Sequence, residues 1–412
     1  MTAMRRPAWL PLPPATRRGA TAVRGLLAAI LSGVLVLAVA GCGGGSESAR
    51  ETIRIGMIAN IAGPFEAPGS ELRDGFRLYL DMHGSRLGGH PAELIVADEG
   101  YERGVAVESA RTLLDQNRVS AITGIINGGN VTAIQPLINE RKVALVGALG
   151  RPALTEVTYV WNTNLLSVEP GVAMAPFVKQ QVKNGKVYAI GPDFQGGRDE
   201  LRGFVETFTG LGGKLANPDG KAVFSPFPVN EDFGPYLDAI AESGADAIYC
   251  FFDAQNAIYF VQQYAESKVA DLPLYAAGFV TEPASLTEQG DTAEGIYNGL
   301  NYSPDLDNAA NREFVAAWNA AYPGRVPTSI VMASYDAAAV LDRAIAAAGA
   351  NPSPEQINAA IGGLGQLTSP RGPWQFAKTT HAPIQKWYLR QVRRDGRALG
   401  NVVVSELATL GG

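Results

Sequence analysis

The segment IRIGMIANIAGPFEAPGSELRDGFRLYLDMHG, residues 53–84, decides the fold. Ile53, Ile55 and Ile58 lie in a short extended apolar run, as a strand requires. Residues 60–69 follow as a Gly/Pro loop, and Ser70 stands where an N-cap opens a helix. Leu72, Phe76, Tyr79 and Leu80 then recur at helical spacing until Gly84 offers a stop. The next strand is 92–97. Strand, glycine-bearing loop, helix and strand in that order make a parallel βαβ unit, and the beat continues along the chain.

Helix 105–116, strand 119–123, helix 131–139 and strand 143–147 complete one wound half. Beyond Trp161-Asn162-Thr163 a second series begins: helix 171–182, strand 186–190, helices 198–209 and 233–242, strand 247–252, helix 254–267 and strand 274–277. Segments 312–322 and 329–348 read as helices with no strand between them. They need a sheet already formed, and the first half is the host because its own series ends early. The β-rich pieces 373–376, 385–392 and 402–404 return to the second half. The chain therefore crosses near 163–167, 299–303 and 367–372, and three crossings make a hinge. We expect an α/β fold of two Rossmann-like lobes with parallel-rich sheets, the N-terminal lobe from 52–165 plus 302–368 and the C-terminal lobe from 166–301 plus 369–408.

Ahead of this body, an apolar stretch over 26–39 follows five arginines and no acid, and it closes on Val39-Ala40-Gly41-Cys42-Gly43. A basic leader, a short apolar core and small residues describe a secretory signal peptide over 1–41, too short in its apolar part to span a bilayer comfortably. A cysteine directly after Ala-Gly resembles the bacterial lipobox. That resemblance implies that the Cys42 thiol receives diacylglycerol and anchors the chain, with 42–51 as a flexible polar tether. The other reading is ordinary cleavage beside a bystander cysteine. The expected location is extracytoplasmic, on the membrane surface.

Losing the five leader arginines takes the net charge from -6 to -11, which argues against nucleic acid as a partner. The remaining ~370 residues exceed a usual single core, again favouring two lobes. Cys250, in the apolar run 247–252, reads as a small buried hydrophobe, so no disulfide framework is available. His83, His90 and His381 read as loop or surface residues; they form no H-E-x-x-H pair and none joins a serine or cysteine in a nucleophile motif. No phosphate loop is present. We therefore expect a binder, without catalysis, metal or cofactor.

Several pieces, taken in order and spacing, resemble one family. They are Ile53-Arg54-Ile55-Gly56 leading to Ala62-Gly63-Pro64-Phe65, then Leu94-Ile95-Val96-Ala97-Asp98, Pro152-Ala153-Leu154-Thr155, Ser334-Tyr335-Asp336-Ala337, and Ser369-Pro370-Arg371-Gly372-Pro373-Trp374-Gln375-Phe376. The body resembles the type I periplasmic binding proteins of the leucine/isoleucine/valine-binding group, which serve ABC importers. The resemblance implies two lobes joined by three strands, a ligand trapped between them, closure on the ligand, and a monomer that docks on a membrane permease. A ligand-sensing receptor component acting through a separate signalling partner is the alternative role.

Open parallel sheets bind ligands at the carboxyl ends of their strands, beside helix N-termini. In the first lobe that points to loops 60–69, which carries Phe65, 125–130 and 148–151. Asn127-Gly128-Gly129-Asn130 precedes a helix, so its amides either hydrogen-bond a carboxylate or form a plain capping turn. The resemblance implies hydroxyl residues on the ligand carboxylate in these loops, yet Asn127 and Gly128 stand where serine is common, and Ala148-Leu149-Gly150-Arg151 replaces a Ser/Ala/Thr-rich stretch. Arg151 is then either a bidentate partner for an acid or a solvated surface arginine.

In the second lobe the resemblance places Phe194, Phe252, Asp253 and Phe279 at ligand positions. It also implies an acidic residue after the next strand to receive a ligand amine, but Gly278-Phe279-Val280-Thr281 occupies that region and Glu282 reads as a helix cap. An ammonium buried without a carboxylate is costly. Either Asp253 takes over the amine, or the ligand lacks one. The expected ligand is an amino acid or a related small organic acid or amide.

Overall fold

β1 (Ile53–Ala59) is buried along nearly its whole length, as a central parallel strand covered on both faces must be. The computed structural model describes residues 50–411 apart from Ala148 and Arg397. The leader, Cys42 and most of the tether, together with Ala148, lie outside the described residues.

The first sheet joins β1 to β2 (Arg86–Leu87), β3 (His90–Asp98), β4 (Ala121–Gly124), β5 (Ala144–Gly147) and β7 (Val160–Asn162), in the order β2-β3-β1-β4-β5-β7. All pairs are parallel except β2 with β3. The crossover helices are α1 (Glu66–Met82), α2 (Arg103–Arg111) and α3 (Gly128–Arg141). β6 (Gly150–Arg151) and β8 (Leu165–Leu166) form a separate short parallel pair. His90, expected in a loop or at the surface, is fully buried where β3 begins, its Nδ1 3.0 Å from the Glu51 carbonyl.

The second sheet uses β9 (Lys186–Pro192), β10 (Lys214–Leu215), β11 (Val223–Ser225), β12 (Ala247–Cys250), β13 (Leu274–Ala277) and β14 (Tyr297–Leu300) in parallel pairing. β15 (Gln375–Phe376), β16 (Pro383–Asp395) and β17 (Ala398–Leu410) close it in antiparallel fashion. Its helices are α4 (Glu169–Val182), α5 (Gln195–Gly210), α6 (Gly234–Glu242), α7 (Ala254–Ala265) and α8 (Pro283–Gln289). The two terminal strands are one long hairpin where the sequence suggests scattered β pieces. Lys386, Arg390, Arg393 and Arg394 interrupt the apolar alternation that would have revealed it.

α9 (Ala309–Ala321), α10 (Ser329–Ala348) and α11 (Pro354–Gly362) follow the second crossing. Ile330, Leu341, Ile357 and Ile361 share one core with Ile55, Met57 and Phe76 on the first sheet. α11 was not foreseen, although Ser353 and Gln356 form a complete capping box with Pro354 at the first turn. Trp374, assigned from sequence to the second lobe with 369–408, lies in this first core at 2% exposure, and Leu367 pairs with it. Trp374 and Phe376 pack around Trp161, so the first core still holds the chain where β15 pairs with β16.

A buried polar knot ties the three crossings. The Arg371 guanidinium donates to the Asp336 carboxylate, to the Thr163 carbonyl and to Gln385 Oε1. Asn301 Nδ2 adds bonds to Asn164 Oδ1 at 2.9 Å and Gln385 Oε1 at 3.0 Å. Asn301 Oδ1 is left without a partner, but the other groups named here pair with one another, so the crossings are specified by hydrogen bonding as much as by packing.

Candidate functional site

The loops after β1, β3, β4 and β5 face those after β9, β11, β12 and β13 across a cavity of about 60 Å³. At roughly 10–15 Å³ per water, that is space for about four to six waters, so the site suits a small ligand.

Its walls are a continuous chain of aromatic rings. Tyr101 lies 6.1 Å from Phe65, Phe65 lies 6.0 Å from Phe227, and Phe227 stacks on Phe194 at 4.8 Å. Phe251 continues the chain 6.2 Å from Phe194, and Phe279 meets Phe251 edge-on at 6.2 Å. The Phe65–Phe227 contact joins the first sheet's loops to the second's. No lysine, arginine or histidine is among the described residues lining the cavity.

The first-sheet end is built around Glu99, which is fully buried. Its carboxylate accepts from the Ile126 amide at 2.7 Å, the Asn127 amide at 2.8 Å and Asn130 Nδ2 at 2.9 Å. Burial pushes the carboxyl up to about 7 against those three donors. Asn127 caps α3 through the Gly129 amide at 2.9 Å. The Gly128 amide, first in α3, is left beside the cavity at the positive end of the helix. A Cβ on Gly128 would come within 2.9 Å of the Gly150 carbonyl, which is why glycine stands there. The Ser167 side chain joins the wall from the first crossing.

Phe65, Asn127, Gly128, Gly150, Phe194, Asp253 and Phe279 of the sequence-named residues line this cavity. Arg151 does not. It is 1% exposed, with Nη1 donating to the Pro152 carbonyl at 3.0 Å and Nη2 to the Thr380 carbonyl. Burial lowers its pKa to about 10, partly offset by Glu169. It is thus neither a solvated surface group nor part of the cavity wall: both Nη atoms are held by backbone carbonyls, and Nε is buried without a partner. Phe252 is also turned away, packing on Phe233 and Phe260 in the core. Successive side chains leave a strand end on opposite faces, so Phe251 takes the cavity and Phe252 the interior.

Glu282 occupies the N-cap position of α8 but makes no side-chain capping bond. It pairs instead with the buried Arg390 at 2.9 Å and accepts from the Ser329 amide at 3.3 Å. Asp253 stands at the N-cap position of α7, also without a side-chain cap; its Oδ1 is buried and unpartnered, and burial pushes the carboxyl up to about 7.

Sequence reasoning missed Tyr101, Ser167, Glu200, Phe227 and Phe251. Phe227 had a signal, a phenylalanine between two prolines in a loop, where it has no strand or helix to serve. Glu200 had none, since Asp199-Glu200 on an amphipathic helix reads as a solvated pair. It is in fact 1% exposed. Its Oε1 accepts from the Tyr249 hydroxyl, its Oε2 is buried without a partner, and burial pushes the carboxyl up to about 8.

The family model described as periplasmic binding protein matches residues 52–397. A Leu/Ile/Val-binding protein homolog from Brucella suis is 25% identical over 362 residues, covering 85% of this chain and 90% of the relative. An ABC transporter substrate-binding protein from Sphaerobacter thermophilus superposes with a TM-score of 0.80 at 25% identity, covering 88% of this chain and 99% of that one. A solute-binding protein of an ABC transporter from R. palustris, in complex with 4-hydroxybenzoate, gives 0.79 at 28% identity over 87% and 98% of the two chains.

Proposed function

The chain belongs to the periplasmic binding protein family, and from that premise we propose that it is the lipid-anchored substrate-binding component of an ABC importer whose cargo is a small monocyclic aromatic acid. The observation that carries this reading is the unbroken chain of six rings from Tyr101 to Phe279, drawn from both sheets, around a small cavity. Aromatic walls favour a planar apolar body through stacking and edge contacts. The Gly128 amide at the start of α3 and the Ser167 hydroxyl receive the carboxylate, a neutral clamp backed by the helix dipole. The 4-hydroxybenzoate held by the R. palustris relative supports the same ligand class.

Capture follows from the walls belonging to two sheets. A ligand that touched one sheet only would leave an open–closed equilibrium unchanged, whereas a ring gripped by Phe65 and Phe194 together favours the closed state. The knot around Arg371 is where the crossings bend. The closed monomer then docks on a membrane permease and releases its cargo there.

A thermal-shift panel of the folded body against ring acids, branched amino acids, amides and sugars tests the cargo. Ligand at 100 times its dissociation constant stabilises by about 2.7 kcal/mol, so benzoate or 4-hydroxybenzoate should raise the melting temperature while sugars do not. A shift with leucine alone would overturn the ring-acid reading. For the anchor, Cys42→Ser is expected to move the processed protein from the membrane to the soluble fraction with its ligand response intact; continued membrane partitioning would remove Cys42 from that role.

A further inference from the structure

The cavity is polarised. Its first-sheet end offers the Gly128 amide, while its second-sheet end carries two carboxyl groups, Glu200 and Asp253, each with a buried oxygen that has no partner. A polar atom held this way in an apolar wall costs free energy in the empty protein, so it is retained for what fills the cavity. A ligand carboxylate is drawn to the Gly128 amide at the positive end of α3, which turns the far edge of the ring toward the two acids.

Of the two, Glu200 is the one whose direction is fixed. The Tyr249 hydroxyl holds Oε1, and the Tyr249 ring is itself stacked on Phe204 at 3.6 Å and 5°. Asp253 sits at the start of α7 with no side-chain capping bond to fix its direction. Resting on the ring-acid reading above, we infer that Glu200 is a specificity-determining residue, its free Oε2 exchanging a hydrogen bond with a hydroxyl on the ring edge opposite the ligand's carboxylate. Burial keeps this carboxyl protonated at neutral pH, with its ordinary value of 4.5 pushed up to about 8. It therefore meets a neutral hydroxyl as a neutral donor, without a buried charge. A site that hydrogen-bonds a hydroxyl discriminates against the analogue lacking it, because its own polar group is then stranded.

The test is the ratio of benzoate to 4-hydroxybenzoate dissociation constants, measured by titration calorimetry for wild type, Glu200→Leu and Glu200→Gln. Wild type should prefer the hydroxylated acid by about tenfold or more. Glu200→Leu should bring the ratio to within about twofold, since only the hydroxyl contact is removed, and Glu200→Gln should keep most of the preference because its amide still donates. A thermal melt of each variant separates misfolding from lost recognition, and Glu200→Gln keeps the test available if the leucine variant does not fold. An unchanged ratio in Glu200→Leu, or equal losses of both acids in Glu200→Gln, overturns the assignment. Wild type that binds both acids without preference overturns it while leaving the ring-acid reading standing. Failure of every ring acid to bind overturns both.

Discussion

Arg371→Ala is expected to destabilise the folded body by about 3–5 kcal/mol, the cost of stranding a buried charge. Asp336, 2% exposed, would lose the guanidinium and keep the Ser369 hydroxyl at 2.7 Å, the Thr163 carbonyl would lose its guanidinium donor, and Gln385 Oε1 would be left with Asn301 Nδ2 at 3.0 Å. Burial already pushes the Asp336 carboxyl upward, with Arg371 the main opposing influence. The guanidinium also lies over the Trp374 ring at 4.9 Å, so packing is lost with the charge. Replacing both partners, as Arg371→Met with Asp336→Leu, should recover much of the loss, because the isolated charge is what costs most. Chemical denaturation of the three proteins reads this directly. A loss below about 1 kcal/mol in the single variant would show that the hinge does not depend on the knot.

Phe194→Ala is expected to weaken ring-acid binding by about 10- to 100-fold while leaving the melting temperature of the unliganded protein within a few degrees. Burying a phenylalanine-sized contact is worth about 1.5–3 kcal/mol, and at ~1.4 kcal/mol per decade that range gives the stated factor. Phe194 is half-buried and stacks on Phe227 in the middle of the ring chain, so it touches both neighbours and the cavity without carrying the core. Affinity unchanged within twofold would remove the ring chain from recognition. A large drop in melting temperature with intact affinity would make Phe194 a core residue.

The architecture was legible because β-branched runs and helical spacing are local properties. The first βα unit, the wound series and the long α10 helix needed only a few consecutive residues to declare themselves. What was not legible depends on partners far along the chain. The hairpin of β16 and β17 hides behind basic residues that break its apolar alternation, and Trp374 shows its lobe only through its contacts with the first core. At the site, the helix-start loop with Gly128 could be found from glycine spacing before a helix. The choice between Phe251 and Phe252 could not, since it turns on where the strand ends: the expected strand ran to 252, and β12 stops at Cys250. Arg151 and Glu200 misled in opposite ways. A charged residue in a loop was read as available or solvated and is tied to backbone carbonyls, while one in an acidic helical pair was read past and lines the cavity.

Titration calorimetry of the folded body with 4-hydroxybenzoate, and separately with leucine, at two temperatures, tests the central claim most directly. The account predicts saturable one-to-one binding of the ring acid with a negative heat-capacity change from apolar burial, and far weaker or no heat from leucine. Saturable leucine binding with no response to the ring acid would contradict it.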